Sequence, residues 1–278
     1  MKLKLMAARR AAFLSTLVLA LIFMSIPLVG NAKSGSSFGY EKSKLVTVED
    51  FIQHAASQEV DIHELYFELR PYEGTVTCLM CHESEGNEML QTGHFKWAGK
   101  VANIAGLEGQ DFGKKDLINN FCIATDSNEG RCSQCHVGYG YKDSTYDFNN
   151  PLNVDCLACH DQTGTYKKAP TTAGLPDPGV NLQAVAASIR MGVEPTRKAC
   201  VTCHAFAGGD DNVKHGDISS DMSNTTREYD VHMGTDGGDL TCVACHGANH
   251  DPKTGEVNHG IAGMALHSVN EGEMKQCN

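Results

Sequence analysis

Apolar residues along this 278-residue chain cluster in one long run and a few short amphipathic stretches, separated by polar, glycine-rich segments. The run, Ala11 to Val29, follows Lys2, Lys4, Arg9 and Arg10 and precedes Gly30-Asn-Ala32. A basic start, an apolar centre and small residues at the end form the pattern of an export signal cleaved before Lys33. The competing reading is an uncleaved membrane anchor, because the run approaches the length of a membrane span. Residues 34–44 are rich in Ser, Gly and Lys and predict a flexible start to the mature chain. Thr47-Val-Glu-Asp50 resembles a capping box and predicts a helix carrying Phe51, Ile52 and Ala55. A second short helix is predicted from Asp61 to Leu69, ended by Pro71, with His54 and His63 as ligand or packing histidines. Gly106 to Gly113 predicts a loop, Lys114 to Phe121 a helical turn, and Gly164 to Val180, with three prolines, a turn-rich linker. Asn181 to Met191 predicts an amphipathic helix with Leu182, Val185, Ile189 and Met191 inward, and the chain beyond Gly208 reads as acidic loop.

This is thin material for a side-chain core. Only 41% of residues are apolar, 7% are aromatic, and 28 are glycine. A chain of this length ordinarily buries a large apolar interior, so something else must fill it. The cysteines supply the answer. Ten of the twelve fall in five copies of Cys-x-x-Cys-His: Cys78/Cys81/His82, Cys132/Cys135/His136, Cys156/Cys159/His160, Cys200/Cys203/His204 and Cys242/Cys245/His246. Two thiols three residues apart can add to the two vinyl groups of one porphyrin, and the adjacent histidine then meets the iron. Zinc ribbons and redox dithiols also use Cys-x-x-Cys, but they do not need a histidine after every second cysteine. The expected cofactor is haem c, five copies, with flat apolar porphyrins in the interior. The expected fold class is a multihaem cytochrome c: mainly short α-helices and long loops wrapped around stacked haems, with little or no β. Residues 1–32 are the signal segment, 33–77 an N-terminal helical segment and 78–278 the haem domain. Attachment of haem c agrees with export to the periplasm.

Each haem needs a sixth ligand or an open position. Eight histidines lie outside the motifs, and His94, His215, His232, His250, His259 and His267 form the candidate pool. His94 is favoured by its place beside Phe95 and Trp97, a tryptophan suited to pack on a porphyrin. Methionine ligation, which raises the potential, stays open. The second and third motifs start 24 residues apart, a short connection that should bring two porphyrins near each other. The loop between them holds Tyr139, Tyr141, Lys142 and Tyr146. Lys142 could bind iron, place charge over a substrate or face solvent. Cys122, outside the motifs, could be a buried thiol, a disulfide partner or an active-site thiol.

The formal charge is −11, and without the leader 19 basic residues face 34 acidic ones, about −15. That excludes nucleic acid as a partner and favours a redox protein with a basic docking face, or a quinol-linked electron donor. Contact with a membrane is expected only through an uncleaved leader. Cys277, one residue from the end, is how a sixth motif would begin, and the expectation is a chain that stops inside it.

The flanking words are more specific than the haem motifs. Gly109-Gln-Asp-Phe-Gly-Lys-Lys-Asp, Asn119-Asn-Phe-Cys-Ile-Ala, Asn128-Glu-Gly-Arg-Cys-Ser-Gln-Cys-His136-Val-Gly-Tyr-Gly, Asn153-Val-Asp-Cys-Leu-Ala-Cys-His160-Asp and Val213-Lys-His-Gly-Asp resemble the octahaem cytochrome c family typified by octahaem tetrathionate reductase. The resemblance runs from about His94 onward. It implies reduction of a small inorganic substrate (tetrathionate, nitrite or hydroxylamine) at one haem, with the others as a wire. It also implies a lysine ligand at the reactive haem. All five motifs here end in histidine, so a lysine would have to come from elsewhere, and Lys142 is the nearest candidate to the second haem. The competing classes are an electron-transfer protein with every iron held by two histidines, and an oxidative enzyme like hydroxylamine oxidoreductase.

Overall fold

The computed structural model describes residues 45–101, 104–118, 123–207, 210–213, 217–246 and 259. The expected leader, Cys122, His215, His250, His267 and Cys277 lie outside the described residues.

Helix α1 (Val48–Gln58) starts at the expected capping box: Thr47 Oγ1 accepts from Asp50 N at 3.2 Å, and Asp50 accepts from Thr47 N at 2.7 Å. These bonds satisfy backbone donors that a helix start leaves unpaired. Phe51 and Ala55 turn inward, whereas Ile52 is exposed. The helix ends at Glu59 in the left-handed region. Helix α2 (Ile62–Leu69) is capped by Asp61, whose carboxylate accepts from His63 N at 2.8 Å. Leu65 and Phe67 are its buried face.

The haem motifs ride on short turns. Helices α3 (Thr75–Leu79) and α4 (Glu83–Met89) flank the first motif, and α5 (Gly93–Lys96) presents His94. A two-stranded ribbon pairs β1 (Gly99–Lys100) with β2 (Asp111–Phe112), antiparallel. In the described part of the turn expected there, Lys114–Asp116 is helical, in 3₁₀ form. Helices α6 (Glu129–Cys132), α7 (Leu157–His160), α8 (Leu182–Ser188), α9 (Arg197–His204) and α10 (Val243–His246) complete the set. Among the described residues the architecture is thus short helices and loops with one small ribbon.

Two apolar clusters position the motifs. Phe67 of α2 packs with Leu157 beside the third motif, Tyr166, and Val185 and Ala186 of α8. The N-terminal helices therefore dock into the haem region. Gln183 fastens them: its side chain accepts from Tyr72 N at 2.6 Å and donates to Arg70 O at 3.0 Å. Helix α8 is shorter than expected, and Met191, expected inward, is 69% exposed. The reason is local. Ile189 leaves the helix in extended geometry, and Met191 N is taken by the Asp61 carboxylate at 2.8 Å. The second cluster joins Met89, Leu90 and Phe95 to Val137 and Val154, the residues leaving the second motif and entering the third. Those two stretches pair directly, with Asp155 N donating to Val137 O at 2.9 Å and Tyr139 N to Asn153 O at 2.8 Å.

Candidate haem site

In four motifs the chain closes one helical turn over the cysteine pair. His82 N donates to Cys78 O at 3.0 Å, His160 N to Cys156 O at 3.0 Å and His246 N to Cys242 O at 2.9 Å, and the fourth motif lies inside α9. Such a turn sets both thiols and the imidazole on one side, as attachment to a single porphyrin needs. The ten motif cysteines are all free thiols, so none is used in a disulfide.

Burial divides these thiols. Cys81 of the first motif and Cys245 of the fifth are exposed, whereas the other eight are half-buried. The cause at Cys245 is its short carrier. Helix α10 is a single turn with no buried residue, and Cys242, just before it, is the thiol that faces Cys200 of the fourth motif. Cys245 therefore takes the outer end of the pair. It keeps the spacing and the turn that attachment requires, with Cys245 N donating to Cys242 O at 3.2 Å, but it stands at the surface.

Three motif histidines face a second imidazole. Ring centres are 5.9 Å apart for His82 and His63, 6.2 Å for His204 and His94, and 6.5 Å for His160 and His259. Two imidazoles on opposite sides of one metal, each bonded at roughly 2 Å with about 1 Å from nitrogen to ring centre, stand about 6 Å apart. The three pairs match that span. Two of the partners are also oriented for it: His63 Nδ1 lies 3.3 Å from Asp61 Oδ1, and His259 Nδ1 3.0 Å from Glu88 Oε2. A carboxylate on Nδ1 leaves Nε2 for a metal and fixes the ring. Burial, followed by the neighbouring His204, pushes His94 down to about 4. Burial, followed by His259, does the same to His160. Burial likewise lowers His63 and His204. All four imidazoles are thereby held neutral, the form that binds iron.

Sequence reasoning pairs none of these residues. It places His94 and His259 in the ligand pool and leaves His63 open between ligation and packing. The signal for His63 is Asp61, two residues earlier, which both caps α2 and holds the ring. His232 lies on an exposed loop beside Asp230, 3.8 Å away, and among the described residues no motif histidine faces it.

The second motif is built differently. Residues Ser133–Cys135 form a 3₁₀ turn, His136 N bonds to Ser133 O at 3.0 Å, and His136 continues in extended geometry. Its ring is 1% exposed and enclosed by Phe95, Trp97, Tyr141, Tyr146 and Phe148, at centroid distances from 4.8 to 6.1 Å. Nε2 meets the Phe95 carbonyl at 2.5 Å, so this nitrogen carries the proton and donates. Nδ1 is buried with no hydrogen-bond partner. Burial is the main cause that pushes this imidazole down to about 3. A side chain at Gly138 would put its Cβ 2.8 Å from His136 Cε1, so only glycine lets the chain turn here. Lys168 and Lys114 are the cations that act on His136. Lys114 Nζ stands 4.4 Å from the Trp97 ring. Lys142 is exposed on the next loop, where it acts on Asp143.

Thiols of different motifs interact directly: Cys78 with Cys156, Cys135 with Cys203, and Cys200 with Cys242. The first motif thus abuts the third, and the fourth abuts both the second and the fifth. The close second-to-third link expected from spacing is made by backbone pairing, while the second motif's Cys135 turns to the fourth.

An orphaned buried imidazole nitrogen, ten free thiols in register and three opposed imidazole pairs fit covalent haem c. Comparisons point the same way. Residues 77–161 match the family described as cytochrome c554 and c-prime. An uncharacterized protein of Archaeoglobus fulgidus is 28% identical over 233 residues, covering 67% of this chain and 77% of its own. The crystal structure of octaheme cytochrome c from Shewanella oneidensis aligns with a TM-score of 0.58 and 39% identity, over 67% of this chain. The match covers 41% of that longer protein, less than half its length.

Proposed function

We infer that this multihaem c-type cytochrome, which carries electrons through covalently bound haem c, reduces a small inorganic substrate at the haem of its second motif. Tetrathionate, nitrite and hydroxylamine are the substrates this reading favours, on the resemblance of the flanking sequence. The observation that carries it is the contrast between His136 and three of the other motif histidines. His82, His160 and His204 each oppose a second histidine, the arrangement of an iron restricted to passing electrons. His136 is instead turned into an aromatic cage with Nε2 on a carbonyl.

In this reading five haems are anchored by the five cysteine pairs, with the anchors at Cys81 and Cys245 at the protein surface. His82 with His63, His204 with His94 and His160 with His259 would hold three of the irons. Haem c, once bound, supplies electrons singly and an iron position able to accept a substrate atom. The residues around the second motif do the rest. Phe95, Trp97, Tyr141, Tyr146 and Phe148 exclude water and fix the His136 ring. Lys114 on the Trp97 side and Lys142 on the exposed loop are cations that can draw in an anionic substrate. The net negative charge favours a basic-faced redox partner or a quinol-linked donor. The basic-then-apolar leader pattern supports work in the periplasm.

Nitrite, hydroxylamine and tetrathionate turnover by chemically reduced protein tests the proposal. Lys114→Ala or Lys142→Ala should raise KM for the anionic substrates and leave hydroxylamine little changed. Absence of turnover with all three would leave a pure electron carrier. Turnover confined to hydroxylamine oxidation would favour the oxidative enzyme.

A further inference from the structure

A buried ion pair lies where the motifs meet, and haem attachment does not use it. Lys168 reaches inward from the turn-rich segment after the third motif, and its side chain is 4% exposed. Its ammonium donates to the carbonyls of His136 and of Gly138, the latter at 3.0 Å, and pairs with Asp155 Oδ2 at 2.9 Å. The Asp155 side chain is 0% exposed and also accepts from Tyr139 Oη at 2.9 Å, from Tyr166 Oη and from Ala158 N at 3.3 Å. Both charges are fully bonded. Replacing such a pair by apolar residues of the same shape is often neutral or stabilising, so stability alone does not account for it.

Its orientation suggests a use. Lys168 lines a cleft with Cys135 and His136 of the second motif and Cys203 of the fourth. Asp155 immediately precedes Cys156 of the third motif, whose thiol contacts Cys78 of the first.

We propose that Lys168 and Asp155 form a fixed internal dipole, positive toward the second and fourth motifs and negative toward the first and third. A buried positive charge favours the reduced, less positive iron, and a buried negative charge favours the oxidised one. The dipole therefore makes the haems of the second and fourth motifs easier to reduce than those of the first and third. It biases electrons toward the second motif. This inference needs only that the motifs carry haem, and it holds whether or not the second haem reacts with substrate.

The test is a redox titration of the haem-loaded protein followed by visible and electron paramagnetic resonance spectra, with signals assigned through His63→Ala and His94→Ala. Lys168→Met should lower midpoint potentials on the second and fourth side. Asp155→Asn should raise those on the first and third. A merely structural role would loosen the same network in both variants and shift potentials alike. Shifts of the same sign, or none, overturn the dipole. If either variant fails to fold, Tyr139→Phe serves in its place. It removes one neutral donor from the Asp155 carboxylate, so potentials on the first and third side should fall, and a rise or no change overturns the proposal.

Discussion

Gln183→Ala probes how the N-terminal helices hold His63 against His82. The amide of Gln183 in α8 bonds Tyr72 N at 2.6 Å, Arg70 O at 3.0 Å and the Phe67 carbonyl, more than 110 residues back along the chain. Alanine removes three hydrogen bonds worth about 1 kcal/mol each and leaves half-buried backbone groups unpaired, a loss of about 2–4 kcal/mol. Against a typical stability of about 5–15 kcal/mol the protein still folds. In a chain of this size each kcal/mol lowers Tm by about 2–4 °C, so melting should fall by roughly 5–15 °C. Helix α2 also carries His63 of the 5.9 Å pair with His82. Loosening α2 should therefore weaken that pair's low-spin signal below the melting temperature. Far-ultraviolet circular dichroism and electron paramagnetic resonance on the same haem-loaded samples read both effects. A melt within about 2 °C of the parent, with an unchanged low-spin signal, refutes the argument that Gln183 fastens α2.

Replacing His63 or His259 by Ala should each convert one haem from low to high spin, whereas His232→Ala, at an exposed position, should leave every spin state unchanged. Stability should fall as pH drops from about 6.5 toward 4, because an unfolded histidine takes up its proton near pH 6.5 while folded His94 and His160 resist down to about 4. Their contribution is complete above about 6.5, and denaturant midpoints that stay flat across this window would contradict it. Trp97→Ala opens the cage at 4.8 Å from His136 and should alter the second haem's spectrum while leaving the bis-histidine signals in place.

What can be read from the chain alone divides by distance along it. The five cysteine pairs and the Thr47 capping box each act within five residues, and each is visible as a local word. Their burial is not: Cys245 has the same spacing as its counterparts, and only the packing of α10 brings it to the surface. His63 stays undecided in the sequence because its place depends on α2 packing against α8, over a hundred residues away. Lys168 sits in a segment whose prolines and glycines read as a turn-rich linker. Only the pairing of the second and third motifs shows that its ammonium is buried against His136 and Asp155. The tyrosines of its loop mark the second motif as distinct, and Tyr141 and Tyr146 do enclose His136, but Lys142 is exposed and two further enclosing rings, Phe95 and Trp97, come from α5 and its end. Met191 fails as an inward residue because the helical period predicts a face only while the helix lasts, and α8 stops at Ser188.

The central claim is that the second motif's iron differs from those held between paired histidines. Electron paramagnetic resonance of the oxidised, haem-loaded protein, recorded with and without added nitrite or hydroxylamine, tests it most directly. The account predicts low-spin signals of paired histidines that ignore the additions, and one further haem component that changes with them. A spectrum of bis-histidine signals alone, unmoved by either addition, would contradict it.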